Sequence, residues 1–283
     1  MIQLGLIGYP LGHSLSPRIH GAALKACGLE GDYSLFPILP DDRMGLKDLL
    51  GRIRSGEIRG LNVTIPHKKN VMEFLDVLTP TAQSIGAVNT IFLHDNKLMG
   101  ENTDAPGFLS DLKRFLVSKS DSLQLPKPVK KTALLKNALV LGAGGSARAV
   151  VYALVNDGWS VTVAARCIEQ AQELAGRFSD VNSMELNSQM FQHSAFNLIV
   201  NTTPIGMAPN IDRSPCPENF PFPAAIYDLV YNPIETKLVK DARSQGLQAT
   251  TGFGMLIEQA ALAFEIWTGY NPPYDILKSA AQN

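Results

Sequence analysis

A glycine-rich turn at residues 141–149 constrains this chain more than any other feature. The turn reads LGAGGSARA, follows the apolar run Asn137–Leu141 and precedes a helical pattern over Ser146–Asp157. In the pattern G-x-G-x-x-A, the first glycine permits a tight turn and the second lets the backbone approach a pyrophosphate. The small final residue lets the helix pack on the strand, and the helix N-terminus offers N–H groups to phosphates. The pattern predicts a dinucleotide-binding β-α-β unit.

The end of the next strand indicates which dinucleotide is bound. That strand is predicted over Ser160–Ala165, and it is followed by Arg166 and Cys167. Sites that prefer NAD usually carry Asp or Glu here, to bind the ribose 2′-hydroxyl. This chain has no carboxylate at that point, and Arg166 offers a fork of N–H donors suited to a 2′-phosphate. The sequence therefore predicts NADP as the cofactor.

Strand-like and helix-like segments alternate along most of the chain. Before the glycine turn, strands are predicted over Leu4–Ile7, Asp32–Ile38 and Arg59–Val63, and helices over Pro17–Cys27 and Asp42–Arg54. After it, the pattern gives a helix over Ile168–Phe178, strands over Leu198–Asn201 and Ile226–Val230, and two helices from Gly254 onward. Such alternation predicts α/β architecture with largely parallel sheets.

Length and composition narrow the function class. The 283 residues suggest two domains, and a net charge of −1 argues against a general nucleic-acid binder. The start of the chain lacks a basic signal-peptide region. The chain also contains no run of 18 apolar residues, which a membrane-spanning helix would need. Three scattered cysteines and five histidines lack metal-ligand spacing, so no metal site is expected. The missing signal and the unpaired thiols predict a cytoplasmic location.

Several polar motifs stand where predicted strands end, which is where α/β sheets bind ligands. Two hydroxyls precede the first helix, at Ser14 and Ser16, and could hold a carboxylate or cap the helix. A strand is followed by NVTIPHK, which ends at Lys68. Asn89 and Asp104 lie in two further polar motifs. Together these side chains indicate a polar site in the first domain.

The motifs together resemble the shikimate dehydrogenase group of the shikimate/quinate dehydrogenase family. The motifs that carry the resemblance are SLSP (14–17), NVTIPHK (62–68), GAVNT (86–90), ENTDAPG (101–107), LGAGGSARA (141–149), NTTPIGM (201–207), YDLVYNP (227–233) and GFGMLIEQAALAF (252–264). They span nearly the whole chain in the order of that family. The resemblance implies reversible, NADP-dependent reduction of 3-dehydroshikimate to shikimate, a step of chorismate and aromatic amino acid biosynthesis.

The resemblance also implies roles for individual residues. It assigns the substrate carboxylate to Ser14 and Ser16, and proton transfer to Lys68 with Asp104 orienting both the lysine and the hydroxyl. The residues implied to bind ring hydroxyls are Thr64, Asn89, Asp104 and Gln259, with Tyr231 nearby. The residues implied to contact the cofactor are Gly142, Ala143, Gly144, Gly145, Ser146, Ala147, Ala165, Arg166, Thr202, Thr203, Pro204, Met207, Leu229, Gly252 and Met255.

One cofactor motif departs from the family pattern. Where the family usually has Asn-Arg-Thr, this chain has Ala165-Arg166-Cys167. Two side-chain partners of the adenosine phosphate are therefore missing, which predicts a loss of NADP affinity more than a loss of selectivity.

The resemblance predicts two α/β domains that share one cleft. Residues 1–105 with 254–283 are expected to form the substrate domain, and residues 106–253 a Rossmann-type domain. Ser118–Lys136, rich in proline, serine and lysine, is predicted to be an extended loop or linker. The active site is expected between the domains, where closure can exclude water.

Three alternatives are weighed against this function. One is a quinate/shikimate dehydrogenase that uses NAD, which Ser16 and Arg166 disfavour. A second is a folate-linked methylene dehydrogenase, whose expected site is not matched by SLSP or ENTDAPG. The third is a non-catalytic dinucleotide sensor, which would have no need of the pair Lys68 and Asp104.

Overall fold

The computed structural model describes residues 1–117, 136–187, 196–217 and 223–282. The chain divides into two compact units, the first formed by Met1–Gly107 with Leu256–Asn283 and the second by Phe108–Met255. Of the predicted loop Ser118–Lys136, only Lys136 falls among the described residues. The predicted α/β class is confirmed, because each unit contains a six-stranded sheet together with helices.

The first unit is built on a mixed sheet. Its strands are β1 (Ile2–Gly8), β2 (Gly31–Pro37), β3 (Gly60–Val63), β4 (Val77–Leu78), β5 (Thr90–His94) and β6 (Lys97–Glu101). They lie in the order β2-β1-β3-β5-β6-β4. The three predicted strands β1, β2 and β3 are parallel, with Leu4 opposite both Tyr33 and Gly60.

The expectation of largely parallel sheets is confirmed, and one strand of this unit runs against the others. β5 runs antiparallel to both of its neighbours, β3 and β6. The antiparallel pairing with β6 is made by a two-residue hairpin turn in which Asp95 and Asn96 both have positive φ, 48° and 58°. Asp and Asn tolerate this conformation better than most residues, and it matches the twist of paired strands. The reversal brings the start of β5 to the edge where β3 and β6 end.

Helices flank this sheet, and polar side chains or proline mark where several of them begin. They are α1 (Ser16–Ala26), α2 (Arg43–Arg54), α3 (His67–Asn70) and α4 (Pro80–Ile85), with a 3₁₀ turn over Val71–Phe74. The Asp42 carboxylate accepts the Gly45 N–H at the start of α2, and the Thr79 hydroxyl accepts the Ala82 N–H at the start of α4. Such caps satisfy N–H groups that have no partner within the helix.

The apolar faces of these elements form the core of the first unit. One cluster of buried side chains joins β1, α2, β3 and β5, and includes Ile7, Leu46, Ile53, Leu61 and Ile91. The C-terminal helices α9 (Phe253–Thr268) and α10 (Tyr274–Gln282) supply most of their length to the same unit. Trp267 in α9 is fully buried, and its indole N–H donates to the Ile91 carbonyl at 3.0 Å.

The second unit has a wholly parallel sheet. Its strands are β7 (Asn137–Leu141), β8 (Ser160–Ala165), β9 (Val181–Glu185), β10 (Leu198–Asn201), β11 (Ala225–Asp228) and β12 (Ala249–Thr251). The order β12-β11-β10-β7-β8-β9 is that of a dinucleotide-binding sheet, with its reversal between β7 and β10. Ligands of such sheets bind at the carboxyl ends of the strands beside that reversal.

The helices of this unit are α6 (Gly145–Asn156), α7 (Ile168–Ala175) and α8 (Lys237–Ser244), together with most of α5 (Asp104–Val117). The core between them is apolar and includes Leu139, Ile199, Ile226, Leu238 and Val239. Within the described parts of the chain, no helix combines the length and the apolarity needed to cross a bilayer.

The acid sensitivity of the first unit is expected to depend on His20. This ring is buried and stacks flat on Tyr33, with ring centroids 4.4 Å apart. Burial lowers the pKa of His20 to about 3, although the Asn62 side chain opposes the shift. In the unfolded chain, His20 therefore gains a proton near pH 6.5, whereas in the folded unit it stays neutral down to about pH 3. The stability contributed by neutral His20 falls as the pH drops from about 6.5 towards 3.

We predict that His20→Phe makes unfolding of this unit less sensitive to acid. Between pH 7 and pH 5, the free energy of unfolding should fall by about 2 kcal/mol less in the variant than in the parent. Denaturant unfolding followed by Trp267 fluorescence, in a Trp159→Phe background, measures the first unit. Equal losses in both proteins would show that His20 does not control this titration.

Candidate active site

A lysine and an aspartate form a buried ion pair at one edge of the first sheet. The Lys68 ammonium donates to Asp104 Oδ2 at 2.6 Å, and both side chains are about nine-tenths buried. Lys68 lies in the short helix α3 and follows the turn after β3. The buried His67 ring is 2.8 Å from the Ile38 carbonyl, and the Lys68 carbonyl accepts the Val88 N–H at 2.8 Å. These contacts fix the backbone from which the ammonium extends.

An asparagine holds the other side of the aspartate. Asn89 Nδ2 donates to Asp104 Oδ1 at 2.9 Å, so each carboxylate oxygen accepts from a different residue. The same amide nitrogen donates to Thr103 Oγ1 at 2.9 Å and lies 3.5 Å from Gln259 Oε1. The structure thus brings four of the predicted site residues together: Lys68, Asn89, Asp104 and Gln259.

Strand direction explains why these residues meet. β3 and β6 end at this edge, and the segments after them carry Lys68 and Asp104. Asn89 directly precedes the first residue of β5. Because β5 is antiparallel to β3 and β6, Asn89 lies at the same edge as the ends of those two strands. Gln259 lies in α9. Gly107 in the neighbouring chain segment allows α9 to come close, since a Cβ on Gly107 would lie 2.8 Å from the Gln259 backbone nitrogen.

The two predicted carboxylate-binding serines lie together at the start of α1. Ser14 Oγ accepts the Ser16 backbone N–H at 3.2 Å, which leaves the Ser14 O–H free to donate. Both residues are half-buried. A hydrogen bond with the Ser16 side chain opposes the effect of burial, which raises the pKa of Tyr33. Leu15 gives α1 no side-chain cap, so the N–H groups of the first turn add to an environment that suits an anion.

The remaining predicted substrate residues are Thr64 and Tyr231. Thr64 is half-buried in the turn after β3, and its carbonyl accepts the His67 N–H at 3.0 Å. Tyr231 belongs to the second unit, where burial raises the pKa of its phenol. Their roles in binding stay predictions.

The predicted dinucleotide turn of the second unit has the required backbone. Gly142 follows β7 with φ of +107°, a value that side chains disfavour, and its N–H donates to the Ala164 carbonyl at 2.7 Å. A Cβ at Gly144 would meet nothing within 4 Å, so the space over this residue is open. No side chain caps α6 at Gly144, and the buried Ala147 lets the helix pack on the sheet. These features fit a bound pyrophosphate.

The remaining predicted cofactor residues follow other strands of the same parallel sheet. Ala165 and Arg166 follow β8, and the segment Thr202–Met207 follows β10. Leu229 and Gly252 follow β11 and β12, and their backbones lie so close that a Cβ on Gly252 would meet the Leu229 carbonyl oxygen at 2.5 Å. Met255 is buried in α9, two residues inside its start. Because the strands are parallel, all of these ends lie at one edge of the sheet.

Arg166 is exposed at that edge, as a residue that binds a 2′-phosphate must be. In the part of the chain that the structure describes, no carboxylate pairs with its guanidinium. The neighbouring Cys167 thiol donates to Glu169 Oε2 at 2.9 Å. The exposed Arg166 guanidinium thus fits the 2′-phosphate of NADP.

Two buried polar clusters were not predicted from the sequence. In the first unit, Tyr33, Asn62 and Thr90 adjoin Asn89 by hydrogen bonds. In the second, Asp228 accepts from Asn201, the Val230 N–H and Thr236, although burial raises the pKa of Asp228 to about 6. Asn62, Asn201 and Asp228 stand in recognisable motifs, but nothing in the sequence separates a supporting polar side chain from one that contacts a ligand.

Comparison with family models gives the same reading in three separate parts of the chain. Residues 6–91 match the shikimate dehydrogenase substrate binding domain. Residues 127–205 match shikimate / quinate 5-dehydrogenase, and residues 252–282 match the shikimate 5'-dehydrogenase C-terminal domain.

Individual proteins are similar over nearly the whole chain. The NADP(+) shikimate dehydrogenase of Carboxydothermus hydrogenoformans is 39% identical over 98% of this chain and 95% of its own length. That of Bacillus subtilis is 37% identical over 97% and 94%. The crystal structure of the Thermus thermophilus enzyme with NADP(H) and shikimate is 38% identical, has a TM-score of 0.83 and covers 100% of this chain and 99% of its own. The expected family is confirmed: this chain belongs to the shikimate dehydrogenases.

Proposed function

We propose that this chain catalyses the reversible, NADP-dependent reduction of 3-dehydroshikimate to shikimate. The observation that carries the proposal is the buried Lys68–Asp104 pair with Asn89, an arrangement that can orient a hydroxyl and move its proton. The same chain contains a dinucleotide turn, and its Thermus thermophilus relative was crystallised with NADP(H) and shikimate.

Bound NADP would supply the hydride chemistry, while the protein orients both ligands and handles the proton. We assign the pyrophosphate to the Gly142–Ala147 turn and the 2′-phosphate to Arg166. The open space over Gly144 and the exposed guanidinium support this assignment. We further assign cofactor contacts to the Thr202–Met207 segment and to Leu229, Gly252 and Met255, because the strands before most of them end at the same sheet edge.

Substrate recognition is assigned to residues of the first unit, and the resemblance adds Tyr231. Ser14 and Ser16 bind the carboxylate, supported by their adjacent hydroxyls at an uncapped helix start. The ring hydroxyls are assigned to Asn89, Asp104 and Gln259, because Asn89 contacts both of the other two side chains. Thr64 is assigned to the same role because its motif resembles that of the family.

Proton transfer is assigned to Lys68. In the reducing direction its ammonium stabilises the negative charge that develops on the substrate oxygen and donates a proton to it. Asp104 holds that ammonium at 2.6 Å and directs it. In the oxidising direction a neutral lysine would accept the proton from the hydroxyl.

We also propose a cytoplasmic location and a monomeric or homodimeric state. The three cysteines Cys27, Cys167 and Cys216 are all free thiols, and unpaired thiols are typical of reducing compartments.

The proposed function is tested by cofactor absorbance with four substrate and cofactor pairings. The purified protein should reduce NADP when given shikimate, and do so more efficiently than with quinate or with NAD. Higher efficiency with NAD would overturn the cofactor assignment. Inactivity with all four pairings would favour the dinucleotide sensor.

We predict that Lys68→Ala lowers kcat by about 10²- to 10⁴-fold, the contribution typical of one general acid or base. Steady-state kinetics with shikimate and NADP measure the effect, and thermal unfolding checks that the fold survives the unpaired Asp104. Lys69→Ala, which removes the adjacent exposed lysine, is the matched control and should keep its turnover. Near-normal kcat in Lys68→Ala would remove the lysine from the mechanism.

We predict that Ser16→Ala raises the KM for shikimate about tenfold, because one hydrogen bond to a charged carboxylate is lost. The KM for NADP should not change, and this value serves as the internal control. An unchanged KM for shikimate would show that Ser16 does not bind the substrate carboxylate.

We predict that Arg166→Ala weakens NADP binding about ten- to a hundredfold while NAD binding stays within about threefold, because only NADP carries the 2′-phosphate. Direct titration of the free protein with each cofactor gives both dissociation constants. Arg177→Ala, another exposed arginine of the same unit, is the control. Equal weakening of both cofactors would contradict the assignment.

A further inference from the structure

A chain of buried hydrogen bonds connects β2 to the candidate active site within the first unit. The Tyr33 O–H donates to Asn62 Oδ1 at 2.8 Å. Asn62 Nδ2 donates to the Asn89 backbone carbonyl at 3.2 Å and to Thr90 Oγ1 at 3.4 Å. The Thr90 hydroxyl then donates to Asn89 Oδ1 at 3.0 Å. None of Tyr33, Asn62 and Thr90 is more than 5% exposed, so these side chains contact the site from its buried side.

The hydrogen bonds around Asn89 fix the orientation of its side-chain amide. Its oxygen accepts from the Thr103 N–H at 2.7 Å and from the Thr90 hydroxyl, which leaves both hydrogens of Nδ2 for Asp104 and Thr103 Oγ1. The reversed amide would place an oxygen against the Asp104 carboxylate and an N–H against the Thr103 N–H. Both contacts are repulsive, so one orientation is strongly preferred.

The orientation of Asn62 is fixed in the same way. Its nitrogen must face the Asn89 carbonyl, because a reversed amide would set two carbonyl oxygens against each other. Its oxygen therefore faces Tyr33 and accepts the phenol hydrogen. The donors run in one direction, from Tyr33 through Asn62 and Thr90 to Asn89. Such chains polarise their members and strengthen each bond.

We propose that Thr90, supported by Asn62 and Tyr33, is a positioning residue that orients the Asn89 amide towards Asp104. Thr90 is fully buried, and its hydroxyl contacts Asn89 Oδ1 at 3.0 Å and Thr103 Oγ1 at 3.3 Å. The inference rests on the proposed function, because it assumes that Asn89 and Asp104 act on the substrate. Its consequence is that the Thr90 hydroxyl, and not merely the volume of its side chain, sustains activity.

The test compares Thr90→Val, which keeps the volume and removes the hydroxyl, with Thr90→Ser, which keeps the hydroxyl. We expect kcat/KM for shikimate to fall about tenfold in Thr90→Val, the effect of about one net hydrogen bond, and to stay within about threefold of the parent in Thr90→Ser. Thr268→Val is the matched control and its activity should be unchanged, since the Thr268 hydroxyl donates to the Phe264 carbonyl and accepts the Tyr270 N–H at the C-terminal end of α9. Melting temperatures and NADP dissociation constants verify the fold of each variant.

A second readout does not depend on catalysis. The side-chain amide protons of Asn89, assigned by their loss in Asn89→Ala, should exchange with solvent at least about tenfold faster in Thr90→Val than in the parent or in Thr90→Ser. The proposal is overturned if Thr90→Val keeps parental kcat/KM, or if the valine and serine variants lose activity equally. If the parent itself fails to oxidise shikimate, the proposed function is wrong, and the exchange rates alone decide this inference. Equal exchange in the three proteins would then overturn it.

Discussion

The buried ion pair between Lys68 and Asp104 is the interaction on which the site depends. Moving two charges out of water costs several kcal/mol for each ion, and only good geometry with further hydrogen bonds offsets that cost. Here the ammonium lies 2.6 Å from one carboxylate oxygen, and the Asn89 amide lies 2.9 Å from the other. Loss of either partner would leave a buried charge uncompensated, at a cost of about 3–5 kcal/mol. The surrounding fold must therefore hold both groups firmly.

Strand direction provides that support. Because β5 is reversed, Asn89 and Thr90 reach the edge at which β3 and β6 end, and the segments after β3 and β6 bring Lys68 and Asp104 to it. A fully parallel sheet would place the first residues of β5 at the opposite edge. The second unit uses the simpler rule, since all its strands are parallel and the segments after them share one edge. The turn at Asp95 and Asn96 joins β5 to β6 and so brings the end of β6 beside the start of β5.

Much of this organisation could be predicted from the sequence, for identifiable reasons. The glycine turn and the strands around it follow local rules of backbone conformation and periodicity, and several of the predicted helices begin or end within one or two residues of those observed. The antiparallel course of β5 could not be predicted in this way, because strand direction depends on long-range pairing. Tyr33 and Thr90 were missed for a similar reason: a polar residue inside a strand shows its role only when its partners on other strands are known.

The most direct test is a crystal structure of this protein with shikimate and NADP. The measurement is the distance from Lys68 Nζ to the hydroxyl oxygen on the shikimate carbon that exchanges hydride with the nicotinamide. We predict direct hydrogen-bond contact at about 3 Å, with Asp104 still bound to the ammonium. An ammonium beyond that reach, with no water bridging it to the substrate, would contradict the mechanism.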